Sequence, residues 1–162
     1  MRCGYYRCIA KTSMENVVME FKKQYEDFLT RCDEIENASL WDTEEFGNMG
    51  AYFTNDMCCT LITLIAADGK IEEAEVKFVN DTLDLDYEPD EMREVYKMCR
   101  ESVEQLFATG FEESKALLAK VDEHLEEVFR SMMKALCDVV NAGDSIVTPE
   151  EKEKVDRLKE MI

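Results

Sequence analysis

The chain has 162 residues, 46% of them hydrophobic, with two prolines and six glycines, so it is expected to fold as one domain around a buried core rather than as a disordered acidic tail or two independent units. Its formal net charge is -18 at pH 7, and the acid lies in the body: residues 1–31 carry six Lys and Arg against four Asp and Glu, the remainder 13 against 33. Such a surface repels nucleic-acid phosphates and anionic lipid heads, which argues against direct DNA or RNA binding and leaves cations, or a protein partner of basic character, as associates.

The first 13 residues lack the apolar run of a signal peptide and precede any clean helical pattern, so they read as a flexible N-terminal extension. Residues 14–37 form an N-terminal helix, with Val17, Val18, Phe21, Tyr25, Phe28, Leu29, Cys32 and Ile35 recurring at steps of three and four. From 38 to 50 the period fails, and a loop is expected whose Trp41 and Phe46 pin it to the core. A helix follows over 52–67, on Phe53, Met57, Leu61, Leu64 and Ile65, and ends at the turn Asp68-Gly69.

The period restarts over 72–83 through Val76, Val79 and Leu83, and Pro89 opens the next helix, predicted over 90–107. A long run over 112–142, kinked near Asp122, passes through Leu125, Phe129, Met132, Leu136 and Val140, and a last helix covers 148–161. No segment alternates with period two, so the fold is expected to be all-α, a compact single-domain helical bundle. No stretch approaches the about 18 apolar residues of a transmembrane helix, so membrane insertion is not expected.

An acidic elbow occurs twice in this pattern. Asp68-Gly69-Lys70-Ile71-Glu72-Glu73-Ala74-Glu75 and Asp144-Ser145-Ile146-Val147-Thr148-Pro149-Glu150-Glu151 lie 76 residues apart, and the same offset pairs Phe53 with Phe129, Met57 with Met133, Leu64 with Val140, Ala66 with Ala142 and Val79 with Val155. A duplicated helix-turn-helix unit with pseudo-twofold symmetry is therefore expected. Its axis would gather Asp68, Glu75, Asp144 and Glu151 at one pole, where clustered carboxylates require a cation or a proton. An all-oxygen set of this kind favours calcium or magnesium.

A purely structural reading of the same residues is also available. Thr148-Pro149-Glu150-Glu151 spells a capping box, and Glu72, Glu73 and Glu75 sit in a first helical turn, favoured there by the helix dipole. Neither elbow is an EF-hand loop, because the positions of its first two ligands would be Leu64 and Ala66, or Val140 and Ala142.

The elbows resemble those of the TerB-like (tellurite-resistance protein B-like) domain family, and the resemblance covers residues 38–162. The second elbow departs from the family by placing Ser145 where glycine is common. The resemblance implies an all-helical, cytoplasmic, non-catalytic module linked to tellurite, stress and phage responses, with divalent metal at acidic residues of the elbows. It points to Asp68, Glu75, Asp144 and Glu151 as the metal ligands here. A different use of the same charge is an acidic inhibitor, or a nucleic-acid-mimicking decoy, that occupies a basic protein partner.

Other residues offer less chemistry. The seven cysteines form no CxxC pair, and Cys58, Cys59, Cys99 and Cys137 fall in apolar helical patterns, which predicts reduced structural thiols and a cytoplasmic setting. Met57, Met92, Met98, Met132 and Met133 are expected as core filler, and His124 as a solvated surface residue. No phosphate loop, nucleophile elbow or HExxH pattern occurs, so no enzymatic activity is expected.

Overall fold

A computed structural model of the chain describes residues 3–109, 111–143 and 147–162, with side chains from residue 14 onward. The described residues form helices α1 (Cys3–Asn37), α2 (Thr43–Phe46), α3 (Met49–Ile65), α4 (Glu73–Leu83), α5 (Pro89–Thr109), α6 (Glu112–Val121), α7 (Glu123–Ala142) and α8 (Pro149–Met161), with no strand among them. The all-α expectation holds. No helix among the described residues is long and apolar enough to cross a membrane.

Helix boundaries follow local chemistry, and over 38–50 and at Asp122 a cap or a tertiary contact explains where they differ from expectation. Helix α1 begins at Cys3, ahead of the expected start at residue 14. The stretch 38–50 is more ordered than a loop: Asp42 caps α2 by accepting from the backbone of Glu44 and Glu45, and Asn48 caps α3 by accepting from Ala51 N at 2.8 Å. Trp41 is buried as expected and donates from Nε1 to the Gly47 carbonyl at 2.8 Å.

The long run over 112–142 is two helices, not one kinked helix. Asp122 is extended (φ -160°, ψ 118°) and ends α6 while capping α7, its Oδ1 accepting from His124 N at 2.9 Å. Its Oδ2 also meets Arg31 of α1 at 3.3 Å, so the break is held from outside the run. Phe111, just before α6, takes a left-handed backbone (φ 59°) that a bulky residue rarely adopts, and its buried ring packs against Phe107 and Phe129.

Helices α3 and α7 are the inner elements. α7 packs against α1, α6, α8 and α3, and α3 packs against α5, α1, α4 and α8. In α3 every residue from Leu61 to Ile65 is buried, and α7 buries Leu125, Phe129, Met132, Met133, Leu136, Cys137, Val139 and Val140. Phe129 sits at the centre, with ring centroids 6.1 Å from Phe28, 5.8 Å from Phe53 and 6.3 Å from Phe111. Of the methionines expected in the core, Met57, Met92, Met132 and Met133 are there, whereas Met98 points to solvent at 74% exposure.

Truncating Phe129 to alanine removes the ring that α1, α3 and the start of α6 share. Phe129→Ala should lower stability by about 3–5 kcal/mol, read from the urea midpoint at unchanged m-value.

Candidate functional site

The first elbow joins α3 to α4. Gly69 turns the chain with a left-handed φ of +83°, donating to the Ala66 carbonyl at 2.9 Å, while Asp68 Oδ1 accepts from Lys70 N at 2.9 Å as an Asx turn. Ile71 then drops into the core, 6% exposed. From α5, Arg93 Nη2 donates to the Ile71 carbonyl at 3.2 Å and Tyr96 Oη to the Ala66 carbonyl at 3.5 Å, so one face of α5 clamps both ends of the turn.

After Ile71 the chain enters α4 through Glu72, and Glu75 folds back so that its Oε2 accepts from Glu72 N at 2.6 Å. The second elbow repeats this closure, with Glu151 Oε2 accepting from Thr148 N at 2.7 Å and Thr148 Oγ1 accepting from Glu151 N at 3.4 Å. Val147, like Ile71, is buried. Gly143 makes the close approach possible, since a Cβ there would stand 3.1 Å from Val147 Cγ2 and 3.6 Å from Phe78 Cε2 on α4.

Both closing glutamates are buried, Glu75 at 4% and Glu151 at 0% exposure. Burial, opposed by the hydrogen bond from Glu72 N and reinforced by the negative charges of Glu151 and Asp68, pushes the Glu75 carboxyl up to about 7 from an ordinary 4.5. Burial also raises Glu151, against the hydrogen bond from Thr148 and with the negative charge of Asp68 adding to it. Asp68, Glu75 and Glu151 are therefore within electrostatic range of one another. Asp144, the fourth predicted ligand, lies outside the described residues.

Glu151 carries a further anomaly: its Oε1 is buried without a hydrogen-bond partner among the described residues. An orphaned buried carboxylate oxygen costs about 1–3 kcal/mol or more unless a proton or a cation meets it. Among the described residues no group of three or more His, Cys, Asp or Glu side chains is drawn close enough to hold a metal ion. The donor chemistry, hard oxygens only, fits calcium or magnesium.

Three residues of this site escaped the sequence reading as functional parts. Glu72 takes the place that Thr148 holds in the second elbow, and only its offset of three from Glu75 signals this. Gly143 and Phe78, which set the second elbow against α4, carry no local signal at all. Elsewhere, Asp56 on α3 is raised to about 6 by burial alone, and His124 is solvent-exposed as expected. No protein-family model, curated protein or solved structure matches the chain.

The raised carboxyls fix a direction for the pH dependence. A folded-state value above the unfolded one means that the native protein keeps a proton the unfolded chain has released, so the stability it contributes is full below about pH 4.5 and lost as the pH rises through about 7. With chelator present, wild-type stability should fall between about pH 5 and about pH 8 by about 1–3 kcal/mol more than that of Glu75→Gln/Glu151→Gln, in which glutamine keeps the cap and removes the charge. Equal pH slopes in urea titrations would refute the shift.

Proposed function

We propose that the chain is a non-enzymatic, cytoplasmic TerB-like module that binds a divalent cation, calcium or magnesium, at its paired elbows and uses it to fix a surface for a protein partner in a stress or phage-response setting. The observation that carries this reading is the buried Oε1 of Glu151, which has no hydrogen-bond partner among the described residues, together with the negative charges of Asp68 and Glu151 that act on Glu75. Glu75 and Glu151 would hold the ion with oxygens their caps leave over, and Asp68 and Asp144 would complete an all-oxygen set. The cation would supply positive charge at a pole that otherwise requires a proton. What these residues do by themselves is to bind the backbone of two helix starts and hold carboxylate charge out of water.

The proposal includes a duplicated helix-turn-helix with a pseudo-twofold axis. It is supported by the paired burial of Phe53 with Phe129, Met57 with Met133, Leu64 with Val140, Ile71 with Val147 and Val79 with Val155. Phe53 and Phe129 also touch, at 5.8 Å between centroids, as equivalent residues beside a twofold axis must.

A second reading, the acidic inhibitor or decoy of a basic partner, draws on a different observation. Exposed carboxylates occur on every helix except α3 rather than at one pole, among them Glu20, Asp33, Glu94, Glu112, Glu127 and Glu160. Capture of a nucleic-acid-binding protein that is lost at high salt and indifferent to chelator would favour the decoy.

Titration of the purified protein with calcium and with magnesium, followed by amide NMR, separates these readings. Residues 66–76 and 142–152 should shift together at millimolar ion, and Glu151→Gln should abolish the response. If the two segments stay still, or move independently, no shared cation site exists. An ion at about ten times its dissociation constant should also add about 1.4 kcal/mol to stability.

A further inference from the structure

Two grooves beside α5 meet at a single carboxylate, that of Asp56. The larger, about 570 Å³, lies between α3, α5 and α6, and the smaller, about 480 Å³, between α3 and α5. Asp56, Ser102 and Leu106 line both, so the two join as one trough with Asp56 on its α3 wall and the other two on its α5 wall. Each groove alone has the size of a small-ligand site, about 300–1,000 Å³.

Asp56 is partly buried on α3, and its carboxylate accepts no hydrogen bond and makes no ion pair with any described residue. Burial without a donor to offset it pushes this carboxyl up to about 6 from an ordinary 3.8. The contrast with the elbows is direct, because Glu75 and Glu151 are buried while closing a helix. The charge of Asp56 is costly in its place and supports no bond of the fold.

The walls suit an organic cation. Phe46 and Tyr52 line the larger groove and Tyr87 the smaller, which surrounds the lone carboxylate with aromatic and apolar surface. A bare metal ion would need several converging oxygens, and no such group forms among the described residues. Lys120, the one basic residue among the described linings of either groove, makes no ion pair with a described residue, and Asp56 and Glu113 outnumber it.

We propose that the trough binds a small organic amine, its ammonium paired with Asp56 and its apolar body against Leu106, Phe46 and Tyr52. Partial burial strengthens such a charge-assisted hydrogen bond relative to one at an open surface. The site does not depend on a cation at the elbows.

The test titrates the full-length protein with 2-phenylethylamine at neutral pH, followed by amide NMR, with 2-phenylethanol and 3-phenylpropanoate as neutral and anionic counterparts of similar shape. Amides of residues 52–59 and 102–109, on the facing walls, should shift together. The amine should bind at least about tenfold more tightly than the alcohol, and the acid should not bind. Asp56→Asn should bind amine and alcohol alike, and should unfold at an equal or higher urea concentration because it removes an uncompensated charge. Ser102→Trp, at an exposed position where the grooves meet, should abolish amine binding. The proposal is overturned if the amine leaves these amides unmoved, if amine and alcohol bind the wild type equally, or if Asp56→Asn leaves the amine affinity unchanged.

Discussion

Two helices begin with an exposed first turn, and each turns one glutamate, Glu75 or Glu151, inward to close it. Glu75 closes the first turn of α4 and Glu151 that of α8, each through Oε2 to a backbone N–H, and both side chains are withdrawn from water in doing so. Caps on a protein surface cost nothing electrostatically because water screens the charge. Buried, and subject to the negative charge of Asp68, these two acquire raised proton affinities and leave one oxygen, Glu151 Oε1, without a partner among the described residues. The remainder of the architecture serves this placement: Ile71 and Val147 anchor the turns, Gly143 lets the second turn approach Phe78, and α5 grips the first turn through Arg93 and Tyr96.

The core explains why the pole is tolerated. α3 and α7 are buried along most of their length and meet through Phe53 and Phe129, so the two helices that lead into the elbows cannot shift without opening the aromatic cluster. Large apolar burial supplies stability to offset a costly polar arrangement elsewhere, which is the usual circumstance in which strained or uncompensated groups persist at functional positions.

Much of this was legible in the sequence because it is local. Apolar residues at steps of three and four located every long helix, and Thr148-Pro149-Glu150-Glu151 announced its own cap. The repeated offset drew attention to Glu75 and Glu151 together, and each closes its helix as a buried cap. What the sequence did not disclose depends on partners distant along the chain. Asp122 breaks a continuous apolar period, yet the ion pair with Arg31 that helps hold it lies on α1. Met98 follows the core spacing of α5 but falls on a part of that helix that no other element covers. Cys59 and Cys99 lie 40 residues apart in separate apolar patterns, and only the packing of α5 on α3 makes them neighbours.

The most direct measurement is the titration of the side-chain carboxyl carbons of Glu75 and Glu151 by NMR, in metal-free buffer and again with a divalent cation present. Paired burial predicts that Glu75 titrates near 7 without metal, with Glu151 also above the ordinary glutamate range, and that calcium or magnesium drives both downward by stabilising the charged forms. Two carboxyls that titrate at the ordinary glutamate value in both buffers would contradict the shared pole on which the proposed function rests.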